Sequence, residues 1–229
     1  MTVIVTCQDK IAGNSNAARF PLEVPRDLVG GALCLDFANG TGRLSSMGPD
    51  GWAYLVAWAI EEGVVERVDG PKLLQEGEKE PEKALLTIGR AVTLGRALGC
   101  LIRNIAGGGD PEPSDLAVLN VELTSQLGTV PLEPGRTGYR WAWEQVPGLE
   151  RILYPVVRSA ANLLISNDLQ RVKACQGPSC DWVFLDATKN RSRRWCDMRS
   201  CGNREKMRRY RKRRKAESSP NPEIAPQAP

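Results

Sequence analysis

The chain has 229 residues, of which 41% are hydrophobic and 25% are charged, a composition typical of folded globular proteins. Histidine is absent, which excludes imidazole catalysis, histidine metal ligands and a histidine pH switch. We expect no membrane-spanning segment and no signal peptide at residues 1–10, and therefore a cytoplasmic protein without a membrane partner.

The net charge of +4 conceals two regions of opposite charge. Residues 1–170 carry 15 Lys and Arg against 21 Asp and Glu, a net charge of −6, whereas residues 171–215 carry 16 against 4, a net charge of +12. An acidic region followed by a strongly basic segment is typical of a protein that binds nucleic acid with one end.

In chain order, residues 1–27 are predicted to form a loose N-terminal arm. The apolar run 32–38 precedes the turn-prone pair Asn39-Gly40, which predicts a short strand. Apolar residues at helical spacing predict helices at 51–62 and 81–106. The polar stretch 69–82 between them is predicted to be a connection with a short helical turn.

A further helix is predicted from Ser114, as its N-cap, to residue 127. Residues 130–132 and 139–143 are predicted to pair as strands around a turn at Pro134-Gly135, and helical spacing returns over 149–167. We therefore predict an α+β fold. Its parts are a mostly helical domain with a short β-hairpin at 28–168, a small four-cysteine zinc finger ending in a basic helix at 169–215, and a disordered tail at 216–229.

Four of the seven cysteines form two matched C-x4-C pairs separated by fifteen residues. Thiolates at such spacing bind Zn²⁺ tetrahedrally, and a module this small depends on metal to fold. We predict one structural zinc ion with no open position for catalysis. An iron–sulfur cluster and four reduced, buried cysteines are the alternatives. The predicted ligands are Cys175, Cys180, Cys196 and Cys201.

Eight of the ten residues from Lys206 to Lys215 are Lys or Arg, and no Gly or Pro interrupts them, which predicts a basic helix that opens near Cys201. Such a helix would bind DNA phosphates, and Asn203 or Arg204 near its start could reach base edges. Asn203 could equally cap the helix, and the same charges would serve an RNA-binding or ribosome-associated protein. The candidate nucleic-acid-binding residues are Arg193, Arg194, Asn203, Arg204, Lys206, Arg208, Arg209, Arg211, Lys212, Arg213, Arg214 and Lys215.

One polar cluster near a predicted turn, formed by Asp36, Asn39 and Arg43, is a candidate ligand site. A buried, hydrogen-bonded structural carboxylate is the alternative interpretation of Asp36. Because the chain lacks histidine, a nucleophile motif and a phosphate loop, we expect that it is not an enzyme.

Several motifs resemble those of the CGNR-type zinc finger, and residues 33–39, Leu-Cys-Leu-Asp-Phe-Ala-Asn, resemble the opening of the ABATE domain that precedes that finger. The resemblance implies a bacterial, stress-linked transcription regulator at the nucleoid, with double-stranded DNA as its partner. It also implies a front domain that senses a small molecule or contacts a partner such as RNA polymerase, and we add a homodimer as an expectation. The motifs are Cys175-x4-Cys180, Phe184-Leu185-Asp186, Thr188-Lys189-Asn190, Arg193-Arg194-Trp195-Cys196 and Cys201-Gly202-Asn203-Arg204.

Overall fold

The computed structural model describes residues 29–126, 128–135 and 138–217. The predicted N-terminal arm at 1–27 and residues 218–229 of the predicted tail lie outside the described residues. We call residues 29–168 the body and residues 169–217 the finger.

The described part of the body is mainly helical. Its helices are α1 Leu33–Leu44, α2 Gly51–Glu61, α3 Gly70–Lys79, α4 Pro81–Ala106, α5 Pro113–Gln126 and α6 Tyr154–Ile165. Short 3-10 helices lie at Gly48–Asp50, Trp143–Gln145, Leu149–Leu153 and Asn167–Arg171. The predicted helices at 51–62 and 81–106 are thus confirmed, while the segment 149–167 begins as 3-10 helix and continues as α6.

A small antiparallel hairpin follows α5. It pairs β1, Leu132–Gly135, with β2, Gly138–Trp141, and sets Gly135 opposite Gly138. The chain therefore reverses after Gly135, and the predicted turn at Pro134-Gly135 is wrong. Pro134 is tolerated in β1 because a two-stranded sheet leaves each strand one edge that needs no N–H donor.

The finger begins with two short antiparallel strands, β3 Val172–Ala174 and β4 Val183–Leu185. A π-helical turn, Met198–Gly202, then leads directly into the last helix, α7 Asn203–Glu217. The described chain thus confirms the α+β class, with a mostly helical body followed by a cysteine cluster and a helix.

Helix α4 is the centre of the body. It buries twelve residues and packs against α1 on one side and α5 on the other. By length and composition α4 is apolar enough to cross a membrane, contrary to our expectation, but 61% of its apolar window is buried inside the protein. Its apolar character is therefore that of a core helix.

The prediction of a strand at residues 32–38 is wrong, because this segment begins α1. Its buried residues Cys34, Phe37, Thr41 and Leu44 recur every three or four positions, which is the period of a helix. The pair Asn39-Gly40 lies inside the helix rather than at a turn. Packing of this stripe against α4 outweighs the cost of helical glycine, about 1 kcal/mol.

Two helix boundaries also differ from the prediction. Helix α3 fills the stretch in which we expected only a helical turn, because its buried stripe is narrow and consists of Gly70, Leu73 and Gly77. A Cβ atom at Gly77 would lie 2.1 Å from Nε1 of Trp52, so α3 packs against this tryptophan through a glycine. The pattern of apolar residues in the sequence does not reveal such a contact. Helix α5 begins at Pro113, so Ser114 lies inside its first turn and is not the N-cap.

Gly95 allows α1 and α4 to approach closely. A Cβ atom at this position would lie 2.2 Å from Oγ1 and 2.6 Å from Cβ of Thr41, which is buried on α1. The Cβ atom of Thr41 is bonded to the backbone of α1, so it cannot move aside without moving the helix.

We predict that Gly95→Ala lowers the free energy of unfolding by about 1–3 kcal/mol, because the new methyl group overlaps Thr41. Gly42→Ala is the matched control, since Gly42 is exposed on α1 with no atom within 4 Å of an added Cβ. The control should raise the free energy of unfolding by about 0.5–1 kcal/mol. Chemical denaturation measures both values, and effects of the same sign would contradict the close packing of α1 on α4.

Candidate zinc site and nucleic-acid interface

The four paired cysteines come together at one point of the finger. Cys175 follows β3, Cys180 precedes β4, Cys196 lies in the next loop, and Cys201 lies in the π-helical turn. Their sulfur atoms all lie within 4.8 Å of one another. The Cys180–Cys196 and Cys196–Cys201 sulfur distances are 3.7 and 3.6 Å.

These distances match a tetrahedral zinc site. Four sulfurs bound about 2.3 Å from one ion at tetrahedral angles lie about 3.8 Å apart. The set is closed, because all four positions are filled by thiolates and none remains for substrate. The finger therefore carries a site for one structural Zn²⁺, as the spacing predicts.

Backbone amides help to hold negative charge at the sulfurs. The N–H groups of Gly177 and Cys196 point at Sγ of Cys175 at 3.4 and 3.3 Å. A Cβ atom at Gly177 would lie 3.2 Å from Sγ of Cys201, so the chain passes against the sulfur cluster where a side chain would crowd it.

The thiols also affect one another. A hydrogen bond from Cys196 lowers the pKa of Cys180 to about 5, whereas burial, together with the charge on Cys180, raises the pKa of Cys201 to about 11. Binding of zinc must therefore displace a proton from Cys201.

A buried carboxylate, Asp186, fixes the loop that leads to Cys196. Its side chain is fully buried and accepts hydrogen bonds from Lys173 Nζ at 2.7 Å, from the Arg193 amide at 2.9 Å, and from the amide and hydroxyl of Thr188 at 3.0 and 2.6 Å. Although burial raises the pKa of Asp186, these donors hold it well below its usual range. The carboxylate thus ties β3 to the loop carrying the third ligand.

The guanidinium of Arg193 is engaged in contacts within the protein. Its guanidinium lies 4.3 Å above the ring of Phe184 and donates to the carbonyls of Trp195, Cys196 and Val29. The last of these bonds, at 2.9 Å, connects the finger to the first described residue of the body. We therefore assign Arg193 a structural role rather than a contact with nucleic acid.

The π-helical turn couples Cys201 to the basic helix. Asp197 caps the turn, since its carboxylate accepts the amides of Arg199 at 3.1 Å and Ser200 at 3.0 Å. Asn203 donates from its side chain to the Arg199 carbonyl at 3.1 Å. Its amide group is thus used within the turn, and the N-terminal cap is Asp197, not Asn203. Helix α7 starts two residues after the fourth zinc ligand, near Cys201 as the sequence predicts.

Glu205 anchors the first turn of α7. It is 5% exposed and binds Arg208 at 2.7 and 2.9 Å and Arg209 at 2.9 Å, and these bonds lower its pKa to about 2. The other basic side chains of the helix face solvent: Arg204, Lys206, Arg211, Lys212, Arg213, Arg214 and Lys215. Arg194 is also bonded at the surface of the finger, to Gln176 at 2.7 Å.

The candidate ligand residues Asp36 and Asn39 instead join the body to the finger. The side-chain amide of Asn39 donates to the Val183 carbonyl and accepts its N–H, both at 2.9 Å, so it pairs with β4 as a strand would. Asp36 accepts the Gly30 amide at 2.8 Å, and Gly30 in turn accepts the amide of Leu185 at 2.7 Å. Arg43 lies about two helical turns after Asp36 along α1, on the exposed surface near Tyr54.

From the sequence, Asp186 was named only within a family motif, and Asp197, Glu205 and the pairing role of Asn39 were not singled out. Asp-x-Thr and Asp-x-x-Ser at 186–188 and 197–200 are the available signals, since a carboxylate two or three residues before a polar turn often accepts its amides.

The carboxyl group of Asp36 makes the stability of the folded protein depend on pH. Burial raises its pKa to about 6, against its ordinary value of 3.8, although neighbouring amides and Arg193 oppose the shift. Because the folded protein favours the protonated acid, this group's contribution is fully present below about pH 4 and is lost as pH rises through 6.

We therefore expect the stability of the wild type relative to Asp36→Asn to fall by roughly 1 kcal/mol between pH 5 and pH 7.5. Urea unfolding of both zinc-loaded proteins measures the difference. A constant difference across this range would contradict the buried position of the carboxylate.

Two family models match the chain in N-to-C order. Residues 31–167 match the ABATE family, which carries the description "Putative stress-induced transcription regulator", and residues 171–214 match the CGNR zinc finger. Neither description names an enzyme, and no curated protein shows significant similarity to the chain. The first match covers more than half of the 229 residues and confirms the resemblance seen in the motifs. The chain belongs to the ABATE family and carries a CGNR zinc finger at residues 171–214.

Proposed function

We propose that this protein is a bacterial, zinc-dependent transcription regulator that binds double-stranded DNA through α7 and acts at the nucleoid in the cytoplasm. The observation that carries the proposal is the exposure of a continuous cationic helix beginning two residues after a zinc ligand. The body acts as the regulatory part and contacts a partner such as RNA polymerase.

The charge on α7 is costly without an anionic partner. Like charges four residues apart, such as Arg204 with Arg208 and Arg211 with Lys215, repel each other by a few tenths of a kcal/mol per pair. Glu205 compensates only the first turn, where it binds Arg208 and Arg209. A row of phosphates relieves the remaining repulsion and gains from counterion release.

The shape of α7 suits a DNA groove. Its fifteen residues span about 22 Å, and the major groove of B-DNA is wide enough to admit one helix. Arg204, Arg208, Arg211 and Lys215 share one face because they recur every three or four residues. This face is the proposed phosphate-binding surface, flanked by Lys212 and Arg214, while Lys206, Arg209 and Arg213 lie on the opposite side of the helix.

The direction of α7 is fixed at its start. Zinc holds Cys201, Asp197 holds the π-helical turn, and the Asn203 side chain is bonded to the carbonyl of Arg199. A helix fixed in this way loses less conformational freedom on binding than a free cationic tail, which favours binding in one orientation. Arg204 and Arg194 are the residues near the helix start that we propose for base or sugar contacts.

The filled core around α1 favours a body that contacts a protein partner over a body that binds a small molecule in an enclosed site. The cavity beside Phe37, Tyr54 and Trp58 has a volume of about 10 Å³, no more than a single water molecule needs. Asp36 and Asn39 are engaged at the junction with the finger. A small-molecule effector therefore finds no prepared cavity beside these described residues, and we propose that the body signals through its surface.

Competition binding tests the proposal. Duplex DNA, structured RNA and single-stranded DNA compete for the zinc-loaded protein at fixed salt, and duplex DNA should bind with the highest affinity. The variant carrying Arg204→Ala and Arg211→Ala should bind all duplexes more weakly, with a salt slope reduced by about 1.8 log units for two lost phosphate contacts.

The matched control carries Lys72→Ala and Lys79→Ala, which remove the same charge from exposed positions on α3. Its salt slope should equal that of the wild type. A preference for structured RNA, or an unchanged slope in the α7 variant, would contradict DNA binding through this face.

A further inference from the structure

One surface of the body exposes large apolar side chains along α4 and α5. Leu85 and Leu86 on α4 are 54% and 69% exposed, and Val121 on α5 is 68% exposed. They border an open groove of about 810 Å³ between the two helices. An exposed apolar surface of this kind, rimmed by charged residues, is typical of a protein contact.

Gly89 lies in this groove without a packing reason inside the protein. Gly95 on the same helix is explained by Thr41, 2.2 Å from an added Cβ, but an added Cβ at Gly89 has no heavy atom within 4 Å. Glycine inside an exposed helix costs about 0.5–1 kcal/mol relative to alanine. Close approach of another chain would account for this residue, as Thr41 accounts for Gly95.

The charges on the exposed side of α4 are arranged symmetrically about Gly89. Glu82 lies seven residues before it and Arg96 seven residues after it, so all three share one helix face. Both charged side chains are exposed, and neither has an ion-pair partner among the residues that the structure describes. Opposite charges at equal distances from a centre make this face complementary to itself when a second copy is antiparallel.

An antiparallel pair of α4 helices crossing at Gly89 sets Glu82 of each copy opposite Arg96 of the other. The residues between them match as well, because Leu86 then lies opposite Val92 of the second copy and Leu85 lies opposite Thr93. A parallel pair would instead oppose Glu82 with Glu82. A two-fold axis generates the antiparallel arrangement, which is the commonest symmetry of homodimers.

We propose that the exposed face of α4 and α5 is a homodimer interface with its two-fold axis beside Gly89. Arg90 strengthens this face without crossing the interface, since it binds Glu122 of its own chain at 3.1 and 2.7 Å and ties α5 to α4. The two helices therefore form one surface, and the leucines of one copy fill the groove of the other. The dimer does not depend on DNA binding.

Charge exchange tests the interface in the full-length, zinc-loaded protein. Sedimentation velocity from about 1 to 100 µM should show a dimer for the wild type. Glu82→Arg and Arg96→Glu should each raise the dimer dissociation constant by about tenfold or more, because each replaces two attractive contacts with two repulsive ones.

An equimolar mixture of the two variants should form a heterodimer near wild-type affinity, because every contact in it is again between opposite charges. This recovery cannot come from a loss of folding. Glu78→Arg is the matched control, since Glu78 is exposed on α3 and does not line the groove, and it should leave the dimer unchanged. A monomeric wild type at 100 µM, single variants that dimerise like the wild type, or a mixture that stays monomeric would overturn the proposal.

Discussion

The finger depends on bringing four thiolates to within bonding distance of one ion. Their sulfur atoms lie within 4.8 Å of one another, and a metal-free cluster of four thiolates would repel itself strongly. Zinc removes that repulsion and converts four separate loop positions into one fixed point. The neighbouring elements are positioned by this site, because β3 and β4 lead to the first two ligands and α7 begins just after the fourth.

Polar groups around the site extend this constraint in two directions. Asp186 and Arg193 hold the loop before Cys196, and Arg193 also binds the carbonyl of Val29 in the body. Asn39 pairs with β4 through two hydrogen bonds, so α1 supports the finger directly. Body and finger are therefore joined by partly buried polar contacts, and removing one partner would leave an unsatisfied group at a cost of about 1–3 kcal/mol.

The sequence predicted the metal site better than the fold around it. The zinc ligands are recognisable from their spacing in the sequence, and a long helix such as α4 repeats its apolar period several times. Both were therefore predicted correctly. The strand predicted at residues 32–38 was wrong because seven residues are too few to separate the two periods, and Asn39-Gly40 gave a local turn signal that packing on α4 overrides. Asp186 was missed as a support because two of its four hydrogen-bond donors, Lys173 Nζ and the Arg193 amide, come from other segments that only the fold brings to it.

X-ray absorption at the zinc edge, combined with metal analysis of the purified protein, tests the closed four-cysteine site most directly. We expect one zinc per chain, bound by four sulfurs at about 2.3 Å with no lighter ligand. A nitrogen or oxygen ligand, an iron–sulfur signature, or a zinc content far below one per chain would contradict it.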